Sequence, residues 1–136
     1  MSQNPSTAQP HSSEKVALVV DDIPSVRYYH SYILKKAGFR CEAASNGADA
    51  LQKLLNGTHI DLAVIDIMMP SMNGLELIKQ IRKIPAYIKL PILVISSEPA
   101  AAEVAGNTGP IGFVKKPLSP DPVIKEVNRL LQLAKS

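Results

Sequence analysis

The stretch Leu62-Ala63-Val64-Ile65-Asp66-Ile67-Met68-Met69-Pro70 decides how this chain is read. It is an apolar run that holds one carboxylate and is stopped by proline four residues later. A continuous apolar run of this length, bounded by breakers, fits a strand covered on both faces. Such a strand holds no charge along its buried length. Asp66 is therefore expected at or near its carboxyl end, where the sheet opens. In open α/β sheets that edge is where ligands bind.

Working outward, Val16-Ala17-Leu18-Val19-Val20 reads as the first buried strand, ending in Asp21-Asp22. Val26, Tyr29, Ile33, Leu34 and Ala37 recur at helical spacing, and Gly38 closes that helix. Arg40 to Ala44 makes a short second strand, and Asn46-Gly47 a turn. Ala50, Leu51, Leu54 and Leu55 mark a second helix, closed by Asn56-Gly57. Beyond the opening run, Gly74 starts a third helix with Leu75, Leu77, Ile78 and Ile81 as its apolar positions. Pro91 to Ile95 is the fourth strand, followed by Ser96-Ser97. Residues 99 to 105 make a short, weak fourth helix. Ile111 to Val114 is the fifth strand, followed by Lys115-Lys116-Pro117. Val123, Val127, Leu130, Leu131 and Ala134 carry the last helix.

Five strands alternating with five helices across short connections imply a parallel sheet with right-handed crossovers and helices on both faces. A length of 136 residues suits one domain with a real core rather than two. With no Trp and 4% aromatic residues, that core must be aliphatic. Residues 1 to 14 are Ser, Pro, Gln, Asn and Thr with almost nothing apolar, so they are expected to be a disordered tail, and 15 to 136 the folded domain. The formal charge of +3 comes from scattered Lys and Arg, not a clustered basic face, which argues against nucleic-acid binding. No apolar run approaches a membrane span, and no apolar signal region opens the chain, so the expected location is the cytoplasm. Cys41 has no second cysteine to pair with and is expected to pack in the core.

In a doubly wound sheet of order 2-1-3-4-5, strands one and three meet at the switch point. Asp21, Asp22 and Asp66 would converge there, with Ser96 and Lys116 beside them. Three carboxylates in one pocket repel, and a hard divalent cation removes that cost. Mg²⁺ prefers a few carboxylate oxygens, waters and a phosphate oxygen. Lys116 and Ser96 supply donors for an anion. The set describes a phosphoryl-transfer site, where protein groups position and neutralise charge. Each residue alone has a plainer reading: Asp21-Asp22 as a helix cap, Ser96 as a strand-end hydroxyl, Lys116 as a solvated lysine before a turn proline, Phe113 as a core ring.

The combination resembles the receiver domain of two-component response regulators, notably the single-domain, chemotaxis-receiver type with its flavodoxin-like (βα)5 fold. The resemblance covers about residues 15 to 135. It rests on Val19-Val20-Asp21-Asp22, on Asp66-Ile67-Met68-Met69-Pro70 with Asn73-Gly74, on Ile95-Ser96 and on Lys116-Pro117. It implies that Asp66 is the phosphoacceptor, taking a phosphoryl group from a histidine kinase or phosphotransfer protein. It implies Asp22 as a direct Mg²⁺ ligand, Asp21 as one acting partly through water, and the Met68 backbone carbonyl as a third. Ser96 matches the switch hydroxyl, Lys116 the lysine that pairs with the phosphoryl group, and Phe113 the switch aromatic. A cis peptide often precedes the proline matched by Pro117. Such a domain is no turnover enzyme; it accepts and slowly hydrolyses its own aspartyl phosphate, as a monomer or a phosphorylation-dependent dimer, and changes a protein-binding surface. Its downstream target is not implied.

This sequence departs from the family pattern at Phe113, where Tyr is common, and at Ser97, where a smaller residue such as Ala is usual. Met68 and Glu98 stand where the family tunes phosphoryl lifetime, and Met68 cannot position an attacking water. Residues 98 to 110 are short and rich in Ala and Gly, so partner choice does not carry over. Two other function classes compete: a receiver-like interaction module independent of phosphorylation, and a Mg²⁺-dependent phosphatase of the haloacid-dehalogenase type. The latter needs an Asp-x-Asp spacing that the adjacent pair Asp21-Asp22 lacks.

Overall fold

Side chains along a strand point alternately to opposite faces, and here both faces of the central strands are apolar. The computed structural model, which describes residues 14–67, 73–97 and 109–135, turns this into two cores. Leu18, Val20, Ala63, Ile65, Ile92 and Val94 face one side with Leu54, Leu77, Ile78 and Ile81. Ala17, Val19, Leu62, Val64, Leu93 and Ile95 face the other with Ile33, Leu34, Val123, Val127 and Leu130.

The five strands are β1 (Lys15–Val20), β2 (Phe39–Ala44), β3 (Leu62–Asp66), β4 (Ile92–Ser96) and β5 (Ile111–Lys115). All neighbours pair parallel, in the order β2-β1-β3-β4-β5, which is the doubly wound 2-1-3-4-5 arrangement. The described helices are α1 (Pro24–Lys36), α2 (Gly47–Leu55), α3 (Gly74–Arg82) and α4 (Pro120–Lys135). The short helix expected over 99 to 105 lies outside the described residues, as do residues 1 to 13 of the expected tail. Among the described residues no helix is long and apolar enough to cross a membrane.

Local sequence explains the helix ends. Pro24 opens α1 at its first turn, where its missing N–H costs nothing. Gly38 follows with φ +97°, a conformation that glycine adopts freely. The Asn46-Gly47 pair is not a free-standing turn: Asn46 caps α2 by accepting the Asp49 N–H at 2.8 Å, and Asn73 caps α3 through the Leu75 N–H at 2.8 Å. Asp21 and Asp22 do not cap α1, whose N-cap is Ile23 with no side-chain bond.

Two expectations for α1 and its surroundings need correcting. Tyr29 is 44% exposed, and His30 takes the inward position at 3%. Positions 26, 30, 33, 34 and 37 make a better stripe at 3.6 residues per turn, and the polarity of histidine hid it. Cys41 is half-buried rather than fully packed, against the α1–α4 core. A 3₁₀ turn at Pro85–Tyr87 has no counterpart in the sequence reading. It is pinned by Arg82, whose guanidinium donates to the carbonyls of Tyr87 (3.1 Å), Leu90 (2.7 Å) and Pro110 (3.2 Å).

Gly74 is where α3 touches the sheet most closely. A Cβ there would lie 2.7 Å from Ile67 Cα and 2.8 Å from the Asp66 carbonyl oxygen, both backbone atoms. Backbone cannot step aside as a side chain can, so Gly74→Ala should cost about 1–3 kcal/mol. Urea unfolding should show a lowered midpoint with an unchanged slope, and a wild-type midpoint would contradict this packing.

Candidate functional site

Register brings the polar residues together. Val20 pairs with Ile65, Asp66 with Ile95, and Ser96 with Lys115, so the strands end almost level. The ladder runs one residue further: the N–H groups of Asp21, Ile67 and Lys116 donate to the carbonyls of Ala44 (3.2 Å), Ile95 (3.1 Å) and Ser96 (3.0 Å). Asp21, Asp66 and Lys116 thus sit on backbone fixed by sheet hydrogen bonds. Asp66 is the last residue of β3 and 3% exposed; Asp21 is 1% exposed and Ser96 fully buried. By alternation Asp66 belongs to the row facing α1 and α4, and Ser96 to the row facing α2 and α3.

The centre of the site is an ion pair. Lys116 Nζ donates to Asp66 Oδ2 at 2.5 Å, with the carboxylate almost wholly buried and the lysine side chain about one-third exposed. A carboxylate closing a buried strand is costly unless paired, and Lys116 reaches it from the loop after β5. The Lys116–Pro117 peptide is cis, in line with the family pattern.

Asp21 lies against this pair. Its Oδ1 accepts the Ile23 N–H at 2.9 Å, while its Oδ2 is buried with no hydrogen-bond partner among the described residues. Burial, together with the neighbouring Asp66 carboxylate, pushes its pKa up to about 6, against the Ile23 N–H and the Lys116 charge. Two ionised carboxylates cannot hydrogen-bond to each other, so at neutral pH the orphaned oxygen needs a positive partner. The donor set there is all oxygen, which suits a hard cation such as Mg²⁺.

Asp22 follows Asp21 on the chain. It is half-buried, and among the described residues no three His, Cys, Asp or Glu side chains form a group able to hold a metal. Asp21 and Asp66 are a close, interacting pair, with Asp22 beside Asp21 on the chain. Met68 lies outside the described residues. Phe113 is the central residue of β5, half-buried against the α2–α3 core. Its N–H donates to Glu126 Oε2 at 3.1 Å.

Three nearby residues escaped the sequence reading. Arg27 Nη1 donates to the Asp21 carbonyl at 2.7 Å, and Tyr29 Oη donates to the Leu118 carbonyl at 3.2 Å. His30 is buried beneath the site; burial lowers its pKa to about 4, with Asp66 and Lys116 acting on it in opposite directions. A polar residue on the inward stripe of an otherwise apolar helix was the available signal for His30. The contacts of Arg27 and Tyr29 join residues with no recognisable sequence relation.

A family model for the response regulator receiver domain matches residues 17–128. NtrC, a DNA-binding transcriptional regulator of Escherichia coli K12, is 34% identical over 116 residues, which cover 85% of this chain and 24% of NtrC. A Pyropia yezoensis protein described as "Probable transcriptional regulator ycf29" is 31% identical over 121 residues, covering 88% of this chain and 54% of its own. This chain thus spans about a quarter and about half of those two relatives. The chemotaxis protein CheY4 of Vibrio cholerae has a similar structure, with a TM-score of 0.79 and 32% identity over 87% of this chain and 99% of its own.

The buried imidazole gives stability a defined pH dependence. Its folded pKa of about 4 lies below the ordinary 6.5, so below 6.5 the unfolded chain takes up a proton that the fold refuses. Its contribution is lost as pH falls from 6.5 through 4. Asp21 has the opposite sign, because its folded pKa of about 6 exceeds 3.8, and the fold gains stability as pH falls between those values. His30→Leu removes the first effect and keeps the second. Relative to wild type, the variant should gain on the order of 2 kcal/mol between neutral pH and about pH 4. Urea unfolding at both pH values measures this; a difference constant with pH would contradict it.

Proposed function

The chain belongs to the response regulator receiver family, and from that premise we propose that Asp66 accepts a phosphoryl group from a phosphohistidine on a histidine kinase or phosphotransfer protein. The observation that carries this reading is the buried Asp66–Lys116 ion pair at 2.5 Å beside the orphaned Asp21 Oδ2. A carboxylate oxygen of Asp66 attacks phosphorus, the P–N bond breaks, and its electron pair leaves with the donor's imidazole. Lys116, already at the carboxylate, donates to a phosphoryl oxygen as negative charge accumulates. The Ser96 hydroxyl, at the end of the adjacent strand, donates to another.

Asp21, Asp22 and Asp66 are the residues proposed to hold Mg²⁺, with the Met68 carbonyl as a further ligand. Bound there, Mg²⁺ would neutralise part of the charge on the phosphoryl oxygens. Asp21 offers it a buried oxygen that has no hydrogen-bond partner among the described residues. Receiver domains are signalling modules rather than turnover enzymes; the aspartyl phosphate is its own slow substrate for hydrolysis. Ser96 moving toward the phosphoryl group frees room for Phe113 to turn inward. The surface around β5 and α4 then changes for a protein partner.

An interaction module independent of phosphorylation is the second reading. Incubation with acetyl phosphate and Mg²⁺ distinguishes the two. The intact protein should gain the mass of one phosphoryl group, dependent on Mg²⁺ and lost in Asp66→Asn. Lys116→Met should slow the gain at least about tenfold, as expected when a charged donor is removed from a phosphoryl site. No mass gain by folded wild-type protein would favour the interaction module.

A further inference from the structure

Lys116 stands in a connection that is neither strand nor helix. The loop is fixed at its start by the Lys116 N–H on the Ser96 carbonyl at 3.0 Å. At its far end, the Ser119 carbonyl accepts the Val123 N–H from the first turn of α4 at 3.4 Å. Between those points the Leu118 side chain is buried with Ile33, Leu34 and Val123, and the Leu118 carbonyl accepts the Tyr29 hydroxyl at 3.2 Å. Tyr29 is 89 residues away in sequence and 44% exposed, more than a core ring would be. Two residues earlier on the same helix, Arg27 holds the Asp21 carbonyl at 2.7 Å. Helix α1 therefore grips both shoulders of the site: the Asp21 turn through Arg27 and the Lys116 loop through Tyr29. A helix is stiff over this length, so the two grips set the spacing between the lysine loop and the acidic turn.

We propose that Tyr29 is a positioning residue for Lys116, holding the loop so that the ammonium meets the phosphoryl group on Asp66. The inference rests on the reading of Asp66 as the acceptor. Tyr29 touches neither the phosphoryl group nor the carboxylates; it acts through the backbone of Leu118. Lysine is a flexible side chain with a point charge, so where its Cα is held governs how often its tip is in place. Small errors in placement cost much at a phosphoryl site.

The test uses beryllofluoride with Mg²⁺ as a phosphoryl mimic, its binding followed by ¹⁹F NMR well below the unfolding temperature. Tyr29→Phe removes only the hydroxyl and should weaken binding about fivefold, the weight of one hydrogen bond. Tyr32→Phe is the control: Tyr32 is exposed on the same helix with the Lys36 ammonium 5.0 Å from its ring centroid, and its affinity should match wild type. If Tyr29 acts through Lys116, Tyr29→Phe should have no further effect in a Lys116→Met background, because effects that share one route are not additive. A purely structural role would lower the melting temperature and leave both affinities alone. Wild-type affinity in Tyr29→Phe, or the same fivefold loss with and without Lys116, overturns the proposal. Failure of wild-type protein to bind beryllofluoride overturns the reading of Asp66 itself, and this inference with it.

Discussion

A carboxylate 3% exposed at the end of an apolar strand persists because an ammonium meets it. The Asp66–Lys116 ion pair spans 50 residues and links the loop after β5 to the end of β3, across β4. It depends on the sheet order, since only that order brings the ends of β1, β3 and β5 around one mouth. It also depends on register, because a one-residue slip would turn Asp66 to the opposite core. The charge balance is incomplete in a useful way. Lys116 answers Asp66, while Asp21 keeps one buried oxygen without a hydrogen bond among the described residues and a carboxyl that resists ionising. Such a pocket stores an electrostatic deficit that a divalent cation and a phosphoryl group can together resolve.

Most of the fold was legible because it rests on short-range patterns. Apolar runs bounded by Gly, Pro and acidic residues gave five strands close to their observed positions, and helical spacing gave four described helices. The parallel sheet followed from alternation and handedness, and the order 2-1-3-4-5 is that of a doubly wound pattern, whose switch point gathers the polar residues at strand ends. The acidic and basic residues of the site were legible for the same reason. Asp21, Asp66, Ser96 and Lys116 each stand where an apolar run stops, and register gathers them.

What could not be read depends on side-chain direction and on distant backbone. His30 was hidden because a buried imidazole breaks the apolar pattern of its helix. Arg82 is a cation in the last turn of α3, a position that by itself suits the helix dipole. Its half-buried guanidinium instead holds three carbonyls, and burial lowers its pKa to about 10. Tyr29 was assigned to the core by its apolar ring, whereas its hydroxyl on Leu118 gives it another role. In all three cases an ordinary residue type is given its part by a neighbour that spacing does not reveal.

The identity of the phosphoryl acceptor is the claim on which the rest turns, and chemical trapping measures it most directly. Borohydride reduces an aspartyl phosphate to homoserine, which peptide mass spectrometry locates. After treatment with acetyl phosphate and Mg²⁺, homoserine should appear at position 66 and at no other aspartate. Homoserine at position 21 or 22, or a phosphoryl group recovered on a residue other than aspartate, would contradict the assignment of Asp66.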